Sequence, residues 1–107
     1  MSVAHQVTKK DRLPPVHPGE ILREEFLASL GMSAHQLALA LRVPASRLND
    51  IVNGKRGITA DTALRLSRYF GTTSRFWMNI QASWELDMAE DQVGETVERD
   101  VSPRSAA

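Results

Sequence analysis

Pro44 stands inside a stretch that is otherwise helical in pattern, and it forces two short helices where one long one would form. Proline has no N–H to donate and restrains Val43 before it, yet it is well accepted in the first turn of a new helix. Upstream, Ser33 is suited to cap the amides of a helix carrying Gln36, Leu37, Ala38, Ala40 and Leu41. Downstream, Leu48, Ile51 and Val52 keep the three-four spacing of a helix that Asn53-Gly54 closes in the left-handed region. The pattern predicts helices over 34–41 and 44–53.

Local signals place three more helices around this pair. Pro18 at a first helical position, Glu20 in the first turn and the series Ile21, Leu22, Phe26, Leu30 predict a first helix that Gly31 ends. Thr59 caps a fourth, with Ala60, Ala63, Leu64, Leu66 and Phe70 as its inward stripe and Gly71 as its stop. Thr73 opens a fifth, whose wide apolar face holds Phe76, Trp77, Ile80, Trp84 and Met88. Trp77 is assigned to the core, and Trp84 and Met88 to a dimer interface. No stretch alternates convincingly enough for a strand. A chain of 107 residues leaves room for one core. The expected class is therefore all-α, a five-helix domain over 14–89, with a flexible arm at 1–13 and an acidic, disordered tail at 90–107.

Two short helices joined by a turn of three or four residues have the geometry of a helix-turn-helix, whose second helix fits the major groove of DNA. With Leu48, Ile51 and Val52 facing inward, Ser46, Arg47, Asn49, Asp50 and Asn53 turn toward solvent. Arg47 is suited to guanine or phosphate, Asn49 to adenine or phosphate, and Asp50 to cytosine. Gln36, near a helix start, is placed to hold a phosphate, and Lys55 with Arg56 flanks the far side. The pattern alone fits a DNA-reading face and an ordinary solvated one equally well.

Formal net charge is zero, which weighs against a uniformly basic nucleic-acid binder, but the charges are segregated. Arg42, Arg47, Lys55 and Arg56 oppose the single acid Asp50, whereas Glu85 to Asp100 holds seven acids against Arg99. The acidic stretch reads as a solvated tail or as a contact for a basic partner. The absence of cysteine removes disulfides, thiolate catalysis and zinc fingers. His5, His17 and His35 lie too far apart for a metal site, and Glu24-Glu25 diverge around a helix with no nucleophile near them. His17 is expected to pack or cap at the first helix. No enzyme activity, metal or cofactor is expected. Without an apolar run of membrane length or a signal-peptide pattern, the chain reads as soluble and cytoplasmic.

Three segments together resemble a known family: Val16-His17-Pro18-Gly19-Glu20-Ile21-Leu22, then Arg47 to Arg56, then Ile58-Thr59-Ala60-Asp61-Thr62-Ala63-Leu64-Arg65-Leu66. Tyr69-Phe70-Gly71-Thr72, Phe76-Trp77 and Asn79-Ile80-Gln81 extend the likeness. They are similar to the HigA-type antitoxins, a branch of the phage-repressor-like (lambda-repressor-like, Xre/Cro/C1-type) helix-turn-helix family. The resemblance implies a homodimer that binds a palindromic double-stranded operator, represses its own operon and neutralises a small basic toxin, usually a messenger-RNA endonuclease. A solitary regulator without a toxin is the alternative. It also implies base reading from Ala45, Ser46, Arg47, Asn49 and Asp50, and phosphate contacts from Gln36, Asn53, Lys55 and Arg56. The sequence departs from the pattern at Arg42, where the turn commonly has glycine. A left-handed backbone there costs a non-glycine residue on the order of 1 kcal/mol.

Overall fold

The computed structural model describes residues 15–105; the arm expected at 1–13 lies outside them. Five helices follow one another: α1 (18–30), α2 (Ala34–Leu41), α3 (Ala45–Val52), α4 (Ala60–Phe70) and α5 (Ser74–Asp100). No strand occurs among the described residues.

The helix starts are where the capping residues put them. Ser33, Thr59 and Thr73 lie in extended backbone, and their side-chain oxygens accept from the amides of Gln36, Thr62 and Phe76. At Ser33 the bond is reciprocal, because the Gln36 carboxamide oxygen accepts from the Ser33 amide at 2.8 Å. Pro44 is the cap of α3 rather than its first residue, so that helix is one residue shorter at each end than the pattern predicts. His17 caps α1: its Nδ1 accepts from the Gly19 amide at 2.9 Å, and its ring meets Trp84 edge-on with centroids 4.7 Å apart.

Helix α1 contains one wide turn, Leu22–Leu27, in which hydrogen bonds reach five residues back. The wider turn lets residues five apart share a face. Leu22 and Leu27 are both buried, and Phe26 beside them packs against the core.

The core gathers Leu22, Leu37, Leu48, Ile51, Leu66 and Trp77, all fully buried. Phe26 and Phe70 lie 4.9 and 6.3 Å from Trp77 by ring centroid, and the Trp77 indole N–H donates to the Thr72 hydroxyl at 2.7 Å. The indole nitrogen thus satisfies its hydrogen bond without leaving the core. The inward stripe of α4 differs from the expectation at two places. Leu64 is 61% exposed and Ala60 is exposed, while Thr62 is buried beneath the cap of its own helix.

The largest difference lies at the C-terminal end. The tail expected to be structureless from residue 90 continues α5 to Asp100. Beyond Gln81 no residue is fully buried, and the half-buried ones, Trp84, Asp87, Met88, Asp91 and Gly94, share one helix face that ends before the last turns. What permits it is that no proline interrupts the segment between Gln81 and Pro103, although Gly94 and the valines are weak helix formers.

Candidate nucleic-acid interface

The turn between α2 and α3 is set by one residue in an unfavourable conformation. Arg42 has φ 60° and ψ 46°, the left-handed region, and is the only non-glycine residue with positive φ among those described. Around it the Val43 amide donates to Ala38 O at 3.1 Å and the Arg42 amide to Leu39 O at 3.3 Å. These paired bonds make the closing loop that glycine normally serves at a helix end. The chain then leaves α2 at the angle that lays α3 across it.

The far end of α3 repeats the device with the usual residue. Gly54 takes φ 76°, the Lys55 amide donates to Asp50 O at 2.8 Å and the Gly54 amide to Ile51 O at 3.1 Å. This places Lys55 and Arg56, both exposed, immediately beyond the helix end.

Helix α3 is fastened at that end from α1. A Cβ on Gly19 would sit 1.7 Å from the carbonyl oxygen of Ile51, so the two backbones touch where only glycine fits. Close by, Arg23 donates from Nη1 to Val52 O at 3.0 Å, satisfying a terminal carbonyl and placing a cation at the negative end of the helix dipole. The loop after α3 is fastened from α5. Gln81, buried, accepts from the Ile58 amide through Oε1 at 2.7 Å and donates from Nε2 to Glu85 at 2.7 Å.

With the C-terminal end and the loop after it fixed, the outer face of α3 is defined. Leu48, Ile51 and Val52 point into the core as expected. Ser46, Asn49 and Asn53 are exposed and follow one another at spacings of three and four, forming one polar stripe. Ala45 is half-buried against the core edge, and Asp50 is half-buried with Arg56 3.9 Å away. Gln36 is exposed at the start of α2, its carboxamide oxygen committed to the cap and its NH₂ group free of partners among the described residues.

Arg47 lies differently from the rest. Its Nη1 is 3.3 Å from Oδ1 of Asp61, the second residue of α4, and that same oxygen accepts from Arg65 Nε at 2.8 Å. Arg65 in turn donates from Nη1 to Leu41 O, the last carbonyl of α2, at 2.9 Å. The hydrogen bond from Arg65, with the charges of Arg65 and Arg47 beside it, holds the Asp61 carboxyl below its ordinary range. Arg47, Arg56, Gly57, Thr59, Asp61 and Thr62 line a shallow cleft between α3 and α4.

The structure thus puts Ser46, Asn49 and Asn53 on one exposed stripe, with Lys55 and Arg56 exposed just beyond its end and Gln36 exposed at the start of α2. Sequence reasoning missed Gly19, Arg23, Asp61, Arg65 and Gln81 as positioning residues. The Asp61 and Arg65 spacing of four is readable in the sequence; the link to Arg47, fourteen positions away, is not. Trp84 and Met88, expected at a dimer contact, are half-buried, Trp84 against His17 of its own chain.

The family model described as helix-turn-helix matches residues 22–77. Virulence-associated protein I of Dichelobacter nodosus is 59% identical over 81 residues, 76% of this chain and 75% of that protein. Antitoxin HigA-1 of Vibrio cholerae is 36% identical, with 73% of each chain covered. A solved structure of the Pseudomonas aeruginosa antitoxin HigA with the higBA promoter superposes with a TM-score of 0.83 at 48% identity, covering 85% of this chain and 99% of that one. Fold, turn and sequence agree: the chain belongs to the helix-turn-helix family, in the branch of the HigA-type antitoxins.

Proposed function

We propose that this protein is the antitoxin of a two-component module, binding operator DNA as a dimer, repressing its own operon and neutralising a toxin that cleaves messenger RNA. The observation that carries the DNA-binding part is the exposed polar stripe of α3, flanked by Lys55 and Arg56, on a helix fastened at its C-terminal end from α1. A rigid helix with short polar side chains is what the major groove admits. The likeness to a HigA solved with its promoter supports the same reading.

Base contacts are assigned to Ser46, Arg47, Asn49 and Asp50, with Ala45 as an apolar neighbour for a thymine methyl. Phosphate contacts are assigned to Gln36, Asn53, Lys55 and Arg56. The zero net charge is no obstacle, because salt screens charges beyond about 10 Å and most of the acids of α5 lie in its C-terminal half, away from Lys55 and Arg56 in the sequence. Those acids suit a basic toxin, and the dimer contact is assigned to the surface around Trp84 and Met88.

Co-expression with each neighbouring reading frame tests the antitoxin half. A frame that arrests growth alone and is tolerated beside this protein is the expected result. If no neighbour is toxic, the antitoxin reading fails and a solitary regulator remains. A mobility-shift assay on the DNA upstream of the gene tests the other half: no shift at low salt by folded protein rejects the repressor.

A further inference from the structure

The reading of Arg47 as a base-contacting residue leaves open what holds it. We infer that Asp61, at the start of α4, is the positioning residue for Arg47 and thereby a determinant of sequence specificity, acting as the centre of a polar strap that ties α4 to both helices of the motif. The inference rests on the base-reading role proposed for Arg47.

Three contacts compose the strap: Arg47 Nη1 to Asp61 Oδ1 at 3.3 Å, Arg65 Nε to the same oxygen at 2.8 Å, and Arg65 Nη1 to Leu41 O at 2.9 Å. Arg65 stands one turn beyond Asp61 on α4, so the shorter contact fixes the carboxylate against its own helix. The Arg65 bond to Leu41 O then ties that helix to the end of α2, just before the strained turn at Arg42. Arg47 contributes the longer and weaker contact. Its guanidinium is held at one end only, leaving its other N–H groups available to a base edge or phosphate.

An arginine side chain carries much rotamer freedom, and a reader that must be ordered at the moment of binding loses discrimination. Tethering Arg47 beforehand reduces that cost for the one DNA geometry in which both contacts coexist. Asp61 also places a negative charge beside the groove, which repels phosphate wherever Arg47 is not engaged. Both effects lower binding to the wrong sequence more than to the right one. Asp61 is itself exposed and contributes nothing to the core, so removing it leaves the fold standing.

The test uses the full chain and a pool of duplexes with a randomised core. The sequence selected by the unaltered protein is compared with a scrambled duplex for the D61A, D61E, R47A and R47A/D61A variants. In D61A the affinity for scrambled DNA rises while the selected-to-scrambled ratio falls about fivefold or more, the lower end of what one base contact contributes. The freed Arg47 turns to phosphate, and the dependence of log affinity on log salt steepens by about 0.9. D61E restores part of the ratio, and D61A leaves the ratio unchanged once Arg47 is alanine. If D61A raises both affinities equally while R47A loses discrimination, Asp61 is only a nearby charge: the inference falls and the role of Arg47 stands. If R47A keeps the full ratio, the base-reading role falls and the inference with it.

Discussion

At the scale of single residues, the interface depends on a few positions whose chemistry is fixed by backbone geometry. Gly19 touches the Ile51 carbonyl, so Gly19→Ala must push α1 away from α3 and is expected to cost on the order of 3 kcal/mol, read by urea unfolding. Arg42 is the opposite case. Because its backbone is already left-handed, Arg42→Gly relieves strain and is expected to stabilise by up to about 1 kcal/mol, less the extra freedom glycine gains when unfolded. His17 gives the fold a pH dependence. Burial lowers its pKa below the ordinary 6.5, and its Nδ1 must stay unprotonated to accept from Gly19. The unfolded chain therefore takes up the proton first, and the contribution of His17 is complete above pH 6.5 and lost as pH falls through the folded value. Thermal unfolding between pH 7.5 and 5 is expected to show this loss, and His17→Asn, which keeps a capping oxygen, is expected to flatten it.

At the scale of elements, what was readable in the sequence was what is encoded locally. Ser33, Thr59 and Thr73 announce their helices because a cap involves residues two or three apart, and Gly31, Gly54 and Gly71 end helices for an equally local reason. The wide turn at Leu22–Leu27 has no local cause such as proline or glycine, and its effect is visible only once both leucines are seen inside. The distal part of α5 was misread because the signal used was apolar periodicity, which beyond Glu90 thins to Val93 and Val97 among acids on an exposed helix. Gln81 illustrates the other limit. In the sequence it counted only as part of the Asn79-Ile80-Gln81 likeness, yet it is buried and holds the Ile58 amide at the exit of the motif. Gln81→Leu leaves that buried donor without its partner and is expected to cost about 1–3 kcal/mol by chemical denaturation. Ending the chain at residue 91, by contrast, removes no core residue and is expected to leave stability within about 0.5 kcal/mol.

At the scale of the whole molecule, a chain with no net charge carries a basic group around the helix-turn-helix, between Arg42 and Arg56, and an acidic one along the C-terminal half of α5. The described part measures 56 × 28 × 26 Å, elongated enough for two ends to do different work. Nothing in the helical pattern ranked a DNA-reading surface above a solvated one; the fastened C-terminal end of α3 and the family likeness are what favour the proposed reading. The candidate residues legible in the sequence were those on the stripe and beside it. Those that hold the stripe in place were not, because they come from α1 and α4, which meet α3 only after folding, and from α5, which meets the loop beyond it. The most direct measurement is a fluorescence-anisotropy titration of the full chain against a duplex from its own upstream region and a scrambled duplex of equal length, at several salt concentrations. The account predicts tighter binding to the upstream duplex by about a thousandfold or more, with affinity falling steeply as salt rises. Equal binding to both duplexes by folded protein would contradict it.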